Sequence, residues 1–188
     1  MVSSTMSETD PNAESELVDR CRRRLLATLP GPPRTLAALR AALEKRTGRP
    51  VRVVVSDPGG LDLPSGLWLQ LRDRDVVWVD SRTSLMHQVV IIGHEFGHMV
   101  CGHQPQPVHD EAELADPVPA FADQELGLSA AHITAIMGRC SNRTLSALGR
   151  PECSMGEAEL EAEVTGRMIA EHLLALPDVG LAESLAGP

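Results

Sequence analysis

The sequence predicts an α+β fold that is mainly helical, with a small three-stranded sheet packed on one long helix. The strands are expected at 51–55, 66–71 and 76–79, where β-branched or alternating apolar residues are bounded by Pro, Gly and Asp. The last two runs are separated by a short polar turn and resemble the arms of a hairpin. Apolar residues then recur every three or four positions from 84 to 101, which is typical of a helix with one buried face.

Three further segments have clear helical periodicity, and a fourth has a weaker signal. Helices are predicted at about 15–29 and about 35–48, before the strands, and at about 156–176 near the end of the chain. Thr35 is a suitable N-cap for the second of these helices. A less distinct helical region is expected at about 126–137.

The composition argues against several classes of protein. The chain has 188 residues and a formal net charge of −9, which disfavours direct binding to the phosphates of nucleic acids. No apolar run approaches the ~20 residues that span a membrane, and the polar N-terminus does not resemble a signal peptide. The four Cys form no CxxC pair, so we expect a cytoplasmic protein with reduced thiols. The basic run at 20–24 is expected to lie on a solvated helix face.

The most informative segment lies in the middle of the predicted long helix. His94 and His98 are four residues apart, so both imidazoles lie on one helix face and can bind the same zinc ion. Glu95 lies about 100° further around the helix. There it is badly placed as a third ligand but can reach a water bound to the metal. This HExxH arrangement supplies two metal ligands and a general base. The alternative is a pair of structural His residues in a helix core.

A catalytic zinc needs a third protein ligand, which is expected from the last helix. Glu163 is the preferred candidate, because a helical wheel places it among small and apolar residues, where a carboxylate is costly unless it binds something. Glu159 shares its face and is the second choice, as a ligand or as a support for the ligands. A charged, solvated helix face is the alternative for both. His103 is expected near the site or at the helix end rather than as a ligand.

The order of these features resembles that of the ImmA/IrrE-type zinc metallopeptidases. The resemblance is carried by the segments 77–80 and 92–98 and by Gly102-His103, followed by a late helix with a Glu-Ala-Glu motif. It implies a minimal zincin-like metallopeptidase fold of the gluzincin kind. It also implies a cytoplasmic zinc peptidase that often works beside a helix-turn-helix repressor, cleaving it or relieving its repression.

The predicted domain organisation is a single unit with a tail. Residues 1–14 are polar and are expected to form a disordered tail, and residues 15–188 are expected to form one metallopeptidase-like domain. The stretch between the HExxH helix and the late helix is longer than in the family it resembles. Residues 104–155 are therefore expected to be a lid or a partner-binding insertion.

Together these features predict a zinc-dependent endopeptidase that hydrolyses a protein or peptide substrate with zinc-activated water and Glu95 as the general base. The alternative is a non-proteolytic Zn²⁺-binding module that binds a transcriptional repressor or a toxin–antitoxin partner.

The strand at 76–79 is expected to offer an open edge to an extended substrate. The chain has no Tyr, so an oxyanion donor is expected among His103, His109, His132 and Arg167.

Overall fold

The computed structural model describes residues 11–29, 31, 35–114, 117–138 and 156–174. Within these ranges the helices are α1 (Pro11–Thr28), α2 (Leu36–Thr47), α3 (Leu85–Cys101), α4 (Val118–Gln124) and α5 (Gly156–Leu174). The strands are β1 (Val51–Ser56), β2 (Gly66–Leu71), β3 (Asp75–Asp80), β4 (Gln106–Pro107) and β5 (Ile133–Gly138). Two single-turn 3-10 helices cover Glu111–Glu113 and Ala130–His132. Among the helices described, none has the length and apolar character needed to cross a membrane.

The strands form one mixed sheet in the order β1-β3-β2-β5-β4. β1 pairs with β3 in parallel, and the other three pairs are antiparallel, including the expected β2–β3 hairpin. The predicted α+β class is therefore confirmed, but the prediction of a three-stranded sheet is wrong. Both additional strands, β4 and β5, lie in the stretch 104–155 that the sequence predicts to be a lid or an insertion, and β5 overlaps the weak helix predicted there.

β5 takes the place of the helix predicted at 126–137. Its sequence, ITAIMG, is short, apolar and partly β-branched, so periodicity alone does not separate a strand from a buried helix. Residues 67–71 of β2 pair with residues 133–138 along the edge that β3 does not occupy. The segment becomes a strand because this edge supplies partners for its backbone N–H and C=O groups.

β3 is an inner strand of the sheet. It lies between β1 and β2 and is paired on both sides. The prediction that 76–79 offers an open edge to a substrate is therefore wrong. All six residues of β3 are buried, as expected for a strand that is covered on both faces.

The sheet separates two largely aliphatic cores. On one face, Trp68 and Val77 belong to a cluster that includes Phe96 of α3. On the other face, Trp78 packs edge-to-face on Phe121 of α4, with ring centroids 4.7 Å apart. α3 therefore has a continuous apolar sheet behind it, which keeps its position constant relative to β2 and β3.

The described part of 104–138 is built into the fold rather than added to it. It contributes β4 and β5 to the sheet and α4 to the core on the face opposite α3. Its role as a lid or partner-binding insertion stays a prediction. Residues 139–155 lie outside the described residues.

The first helix begins earlier than expected. α1 begins at Pro11, so residues 11–14 are helical and do not belong to the predicted tail. Pro fits the first position of a helix because its missing N–H would have no helical partner there, and Glu14 in the first turn complements the helix dipole. The rest of the predicted tail, 1–10, lies outside the described residues. Thr35 caps α2 as expected, accepting the N–H of Ala38 at 3.0 Å.

Candidate metal centre

α3 carries the HExxH residues into the interior of the protein. Ser84 caps its N-terminus with its side chain, and Gly102 ends it in the left-handed conformation, with φ 77°. His94, Glu95 and His98 are 4%, 0% and 0% exposed. Polar side chains at this depth cost folding free energy unless they have partners. The surroundings of these three residues therefore decide what the site can do.

Three side chains form a compact group of metal-ligand type. The Nε2 atoms of His94 and His98 are 3.1 Å apart. Glu159 of α5 lies against both, with Oε2 3.3 Å from Nε2 of His94 and Oε1 3.4 Å from Nε2 of His98. Ligand atoms about 2.0–2.1 Å from a tetrahedral zinc ion lie roughly 3.3 Å from one another. The spacing and the donor types, two imidazoles and a carboxylate, both fit zinc.

Glu163 lies beside the other nitrogen of His94, with Oε2 3.5 Å from Nδ1. Its side chain is 38% exposed and also contacts Arg167 at 3.8 Å. The geometry thus brings Glu159, the second choice from the sequence, to the Nε2 pair, and puts Glu163 where it can hold the tautomer of His94. The two glutamates are about 6 Å apart along the helix axis. The point at which α5 crosses α3 decides which of them faces the two Nε2 atoms.

Small residues set that crossing point. A β-carbon built on Gly97 would lie 2.6 Å from the carbonyl oxygen of Ala162, and one on Gly93 would lie 2.7 Å from that of Gly166. A β-carbon on Gly166 would lie 2.7 Å from the backbone nitrogen of His94. The backbones of α3 and α5 are therefore in direct contact, with the helices antiparallel. This close approach brings Glu159 within reach of the two His residues.

Gly166→Ala is expected to lower the free energy of unfolding by about 1–3 kcal/mol, because the new methyl group would meet the rigid backbone of α3. Alanine at an ordinary helical position has the opposite sign and stabilises by about 0.5–1 kcal/mol. Gly156→Ala in the same helix is the matched control, since a β-carbon there would have no described atom within 4 Å. Denaturant unfolding of both variants checks this prediction, and equal stabilities would contradict it.

Glu95 projects toward the start of β2. A β-carbon on Gly66 would lie 3.1 Å from Oε1 of Glu95 and 2.3 Å from Cγ2 of Ile91. Only glycine leaves this space open beside the carboxylate. Glu95 thus occupies a slot between α3 and the sheet, and it is not among the residues grouped at ligand distance, which are His94, His98 and Glu159.

Burial lowers the pKa of His98 to about 3, and the adjacent imidazoles of His94 and His103 act in the same direction. Above that pH the ring is neutral. A neutral imidazole is the form that has a lone pair for a metal. His98 is therefore in its ligand form throughout the physiological range of pH.

A second polar cluster lies behind His98. Nδ1 of His98 is 2.9 Å from Nδ1 of His103, and Nε2 of His103 is 3.0 Å from Oε2 of Glu161. Arg20 and Arg24 of α1 donate to the same carboxylate at 2.8 and 2.5 Å. Burial acts to raise the pKa of Glu161, but the hydrogen bonds from His103, Arg24 and Arg20 outweigh it and lower the pKa.

The sequence reading missed this cluster. A helical wheel places Glu161 in a polar sector, whereas the residue is 6% exposed and faces α1. The expectation of a wholly solvated basic face at 20–24 is wrong for Arg20 and Arg24, which are only about one-third exposed because they bind Glu161. The sequence feature that could have indicated this cluster is the equal spacing of basic residues on α1 and acidic residues on α5. Arg20 and Arg24 are four apart, as are Glu157 and Glu161, and Glu157 also binds Arg20 at 2.9 Å.

An open cavity of about 220 Å³ adjoins the His94 side of the centre, between α3 and α5. Its wall combines apolar residues with charged ones. The apolar residues are Val90, Ala170 and Leu174, and the charged residues are Glu163, Arg167 and Glu171. Of the four candidate oxyanion donors, only Arg167 is part of this wall. His103 lies at Nδ1 of His98, away from the Nε2 pair, and His109 and His132 are exposed.

Comparisons of the chain with protein-family models, with characterised proteins and with solved structures found no match. The chemistry open to the centre is therefore inferred from its own residues. Two imidazoles, one of them held neutral by burial, a carboxylate at ligand distance and a second buried carboxylate on the same helix as the imidazoles are what a divalent metal and a general base require.

Proposed function

We propose that the protein is a zinc-dependent peptidase of the HExxH type with a minimal zincin-like fold. Its zinc ligands are His94, His98 and Glu159, and its general base is Glu95. The observation that supports this most strongly is the trio of side chains whose imidazole nitrogens and carboxylate oxygens approach one another to 3.1–3.4 Å. Glu95 on the same helix adds a carboxylate that a purely structural site does not need.

The residues present have complementary parts in peptide hydrolysis. Zn²⁺, when bound, supplies a Lewis acid that lowers the pKa of water to about 7 and polarises a carbonyl group. Glu95 accepts the proton of the attacking water and returns it to the leaving amine. Arg167, in the cavity wall beside His94, is the candidate donor to the developing oxyanion. The ImmA/IrrE resemblance adds a protein substrate, with a helix-turn-helix repressor as the implied partner.

One observation favours a second candidate function. Glu95 and His98 are fully buried, and a site this enclosed suits a zinc that stabilises a regulatory binding module. Such a module binds a repressor or a toxin–antitoxin partner without cleaving it. The two functions share the metal and differ in turnover.

Metal removal and restoration test the proposal. The full chain, purified with zinc, is expected to contain one zinc per molecule and to cleave an unstructured protein substrate. A chelator is expected to abolish cleavage, and stoichiometric zinc is expected to restore it, since the water needs the metal as activator. Elemental analysis and gel-based cleavage assays measure both. His94→Ala should lose zinc and activity, and His109→Ala, an exposed His, should lose neither. Bound zinc without cleavage would favour the regulatory module.

A further inference from the structure

A continuous line of polar contacts runs from His98, one of the proposed zinc ligands, to α1. It passes from His98 to His103 at 2.9 Å and from His103 to Glu161 at 3.0 Å, and it ends on Arg20 and Arg24. His103 is 12% exposed and Glu161 8% exposed at their side chains, so water competes little for these bonds. The site proposed above uses His98 but not the rest of this line.

Only one arrangement of protons satisfies every contact once Nε2 of His98 is a metal ligand. That nitrogen then carries no proton, so the proton of the neutral ring is on Nδ1. Nδ1–H of His98 donates to Nδ1 of His103, which must be the unprotonated nitrogen of its ring. Nε2–H of His103 then donates to Oε2 of Glu161. Each ring thus has one donor and one acceptor position in use.

Glu161 is held by cations and is not itself a metal site. Cys101, His103 and Glu161 place ligand-type atoms within 4.8 Å of one another. However, Oε1 of Glu161 accepts from Arg20, and Oε2 accepts from both Arg24 and His103. A metal ion there would face two guanidinium groups at hydrogen-bond distance from its only carboxylate. The cluster is better suited to fixing one carboxylate in place than to binding a second cation.

We propose that His103, anchored by Glu161 and the two arginines of α1, is a positioning residue that orients His98 and fixes its Nε2 as the metal-binding nitrogen. This inference rests on the proposed zinc site. Hydrogen bonds of this kind to the non-ligating nitrogen of a metal-bound His stabilise the correct tautomer and ring orientation, and their loss weakens metal binding by about 10–100-fold. Here the acceptor is a second His, so α1 is linked to the metal centre through a single hydrogen-bonded line.

The test compares zinc affinity in matched His variants. His103→Ala is expected to raise the zinc Kd by about 10–100-fold, measured by chelator competition. His103→Asn keeps a side-chain oxygen to accept from Nδ1 of His98 and is expected to lie closer to the wild type. His109→Ala, an exposed His with the same substitution, is expected to bind zinc as the wild type does. The Co²⁺ absorption spectrum should change in His103→Ala, because the ring of His98 is no longer held in one orientation.

The results separate the two proposals. Zinc affinity and Co²⁺ spectra of His103→Ala that match those of His109→Ala, with zinc still lost in His94→Ala, would overturn the positioning role and leave the zinc site intact. No zinc in the wild type would overturn both.

Thermal unfolding of the metal-free forms shows whether His103→Ala folds. If His103→Ala does not fold, His103→Asn is used in its place. Adding Glu161→Gln to His103→Asn is then expected to weaken zinc binding further than His103→Asn alone. An unchanged Kd there would contradict the proposal.

Discussion

Replacing Glu95 by Gln is expected to lower kcat for peptide hydrolysis by about 10²–10⁴-fold while one zinc per chain is retained. Gln has the same size as Glu and keeps an oxygen, but its amide cannot accept a proton from water. Glu95 is fully buried in a slot that Gly66 leaves open, so an isosteric change avoids a new cavity or clash. The predicted loss is therefore one of proton transfer and not of fold or metal.

Three measurements on Glu95→Gln establish this interpretation: steady-state kinetics, zinc content and the midpoint of thermal unfolding. Glu16→Gln, the same substitution at an exposed position of α1, is the control and should match the wild type in all three. A variant that keeps zinc and full activity would rule out Glu95 as the general base. A variant that loses zinc would instead indicate that its carboxylate supports the metal.

Glu159→Ala is expected to raise the zinc Kd by roughly 100-fold or more, because it removes one of three protein ligands. Glu163→Ala is expected to raise it by only about 10-fold, since it removes a carboxylate at Nδ1 of His94 but no ligand. The two residues are four apart on one helix, so the variants are matched in substitution and setting. Chelator competition measures both constants. A larger loss in Glu163→Ala would restore the ligand order that the helical wheel favours.

Local sequence patterns were sufficient for the elements that carry the motif. The apolar runs at 66–71 and 76–79 predict the hairpin, and the apolar periodicity at 84–101 predicts the helix that the structure has at Leu85–Cys101. The spacing of His94 and His98 places their side chains on the same face whatever lies around the helix, because residues four apart share a face. In the structure their Nε2 atoms are 3.1 Å apart. These features depend on backbone geometry within one element, and so they can be read from one stretch of chain.

Other features could be decided only by contacts between distant segments. β5 has a composition that suits either a helix or a strand, and the unoccupied edge of β2 makes it a strand. Glu161 has the same local setting as its neighbours on α5, and it is buried because Arg20, Arg24 and His103 surround its carboxylate. No periodicity within α5 contains that information.

The sequence by itself determined the HExxH helix with His94 and His98 on one face and Glu95 beside them, and it narrowed the candidates for a third ligand to Glu159 or Glu163. The tertiary structure decided which of the two lies at the Nε2 pair. Gly97 against Ala162 lets α5 approach α3 to backbone contact, and this contact sets the register between the helices. A helical wheel gives the direction in which each side chain leaves the axis of its own helix. The position of that axis relative to a second helix depends on packing between residues far apart in the chain.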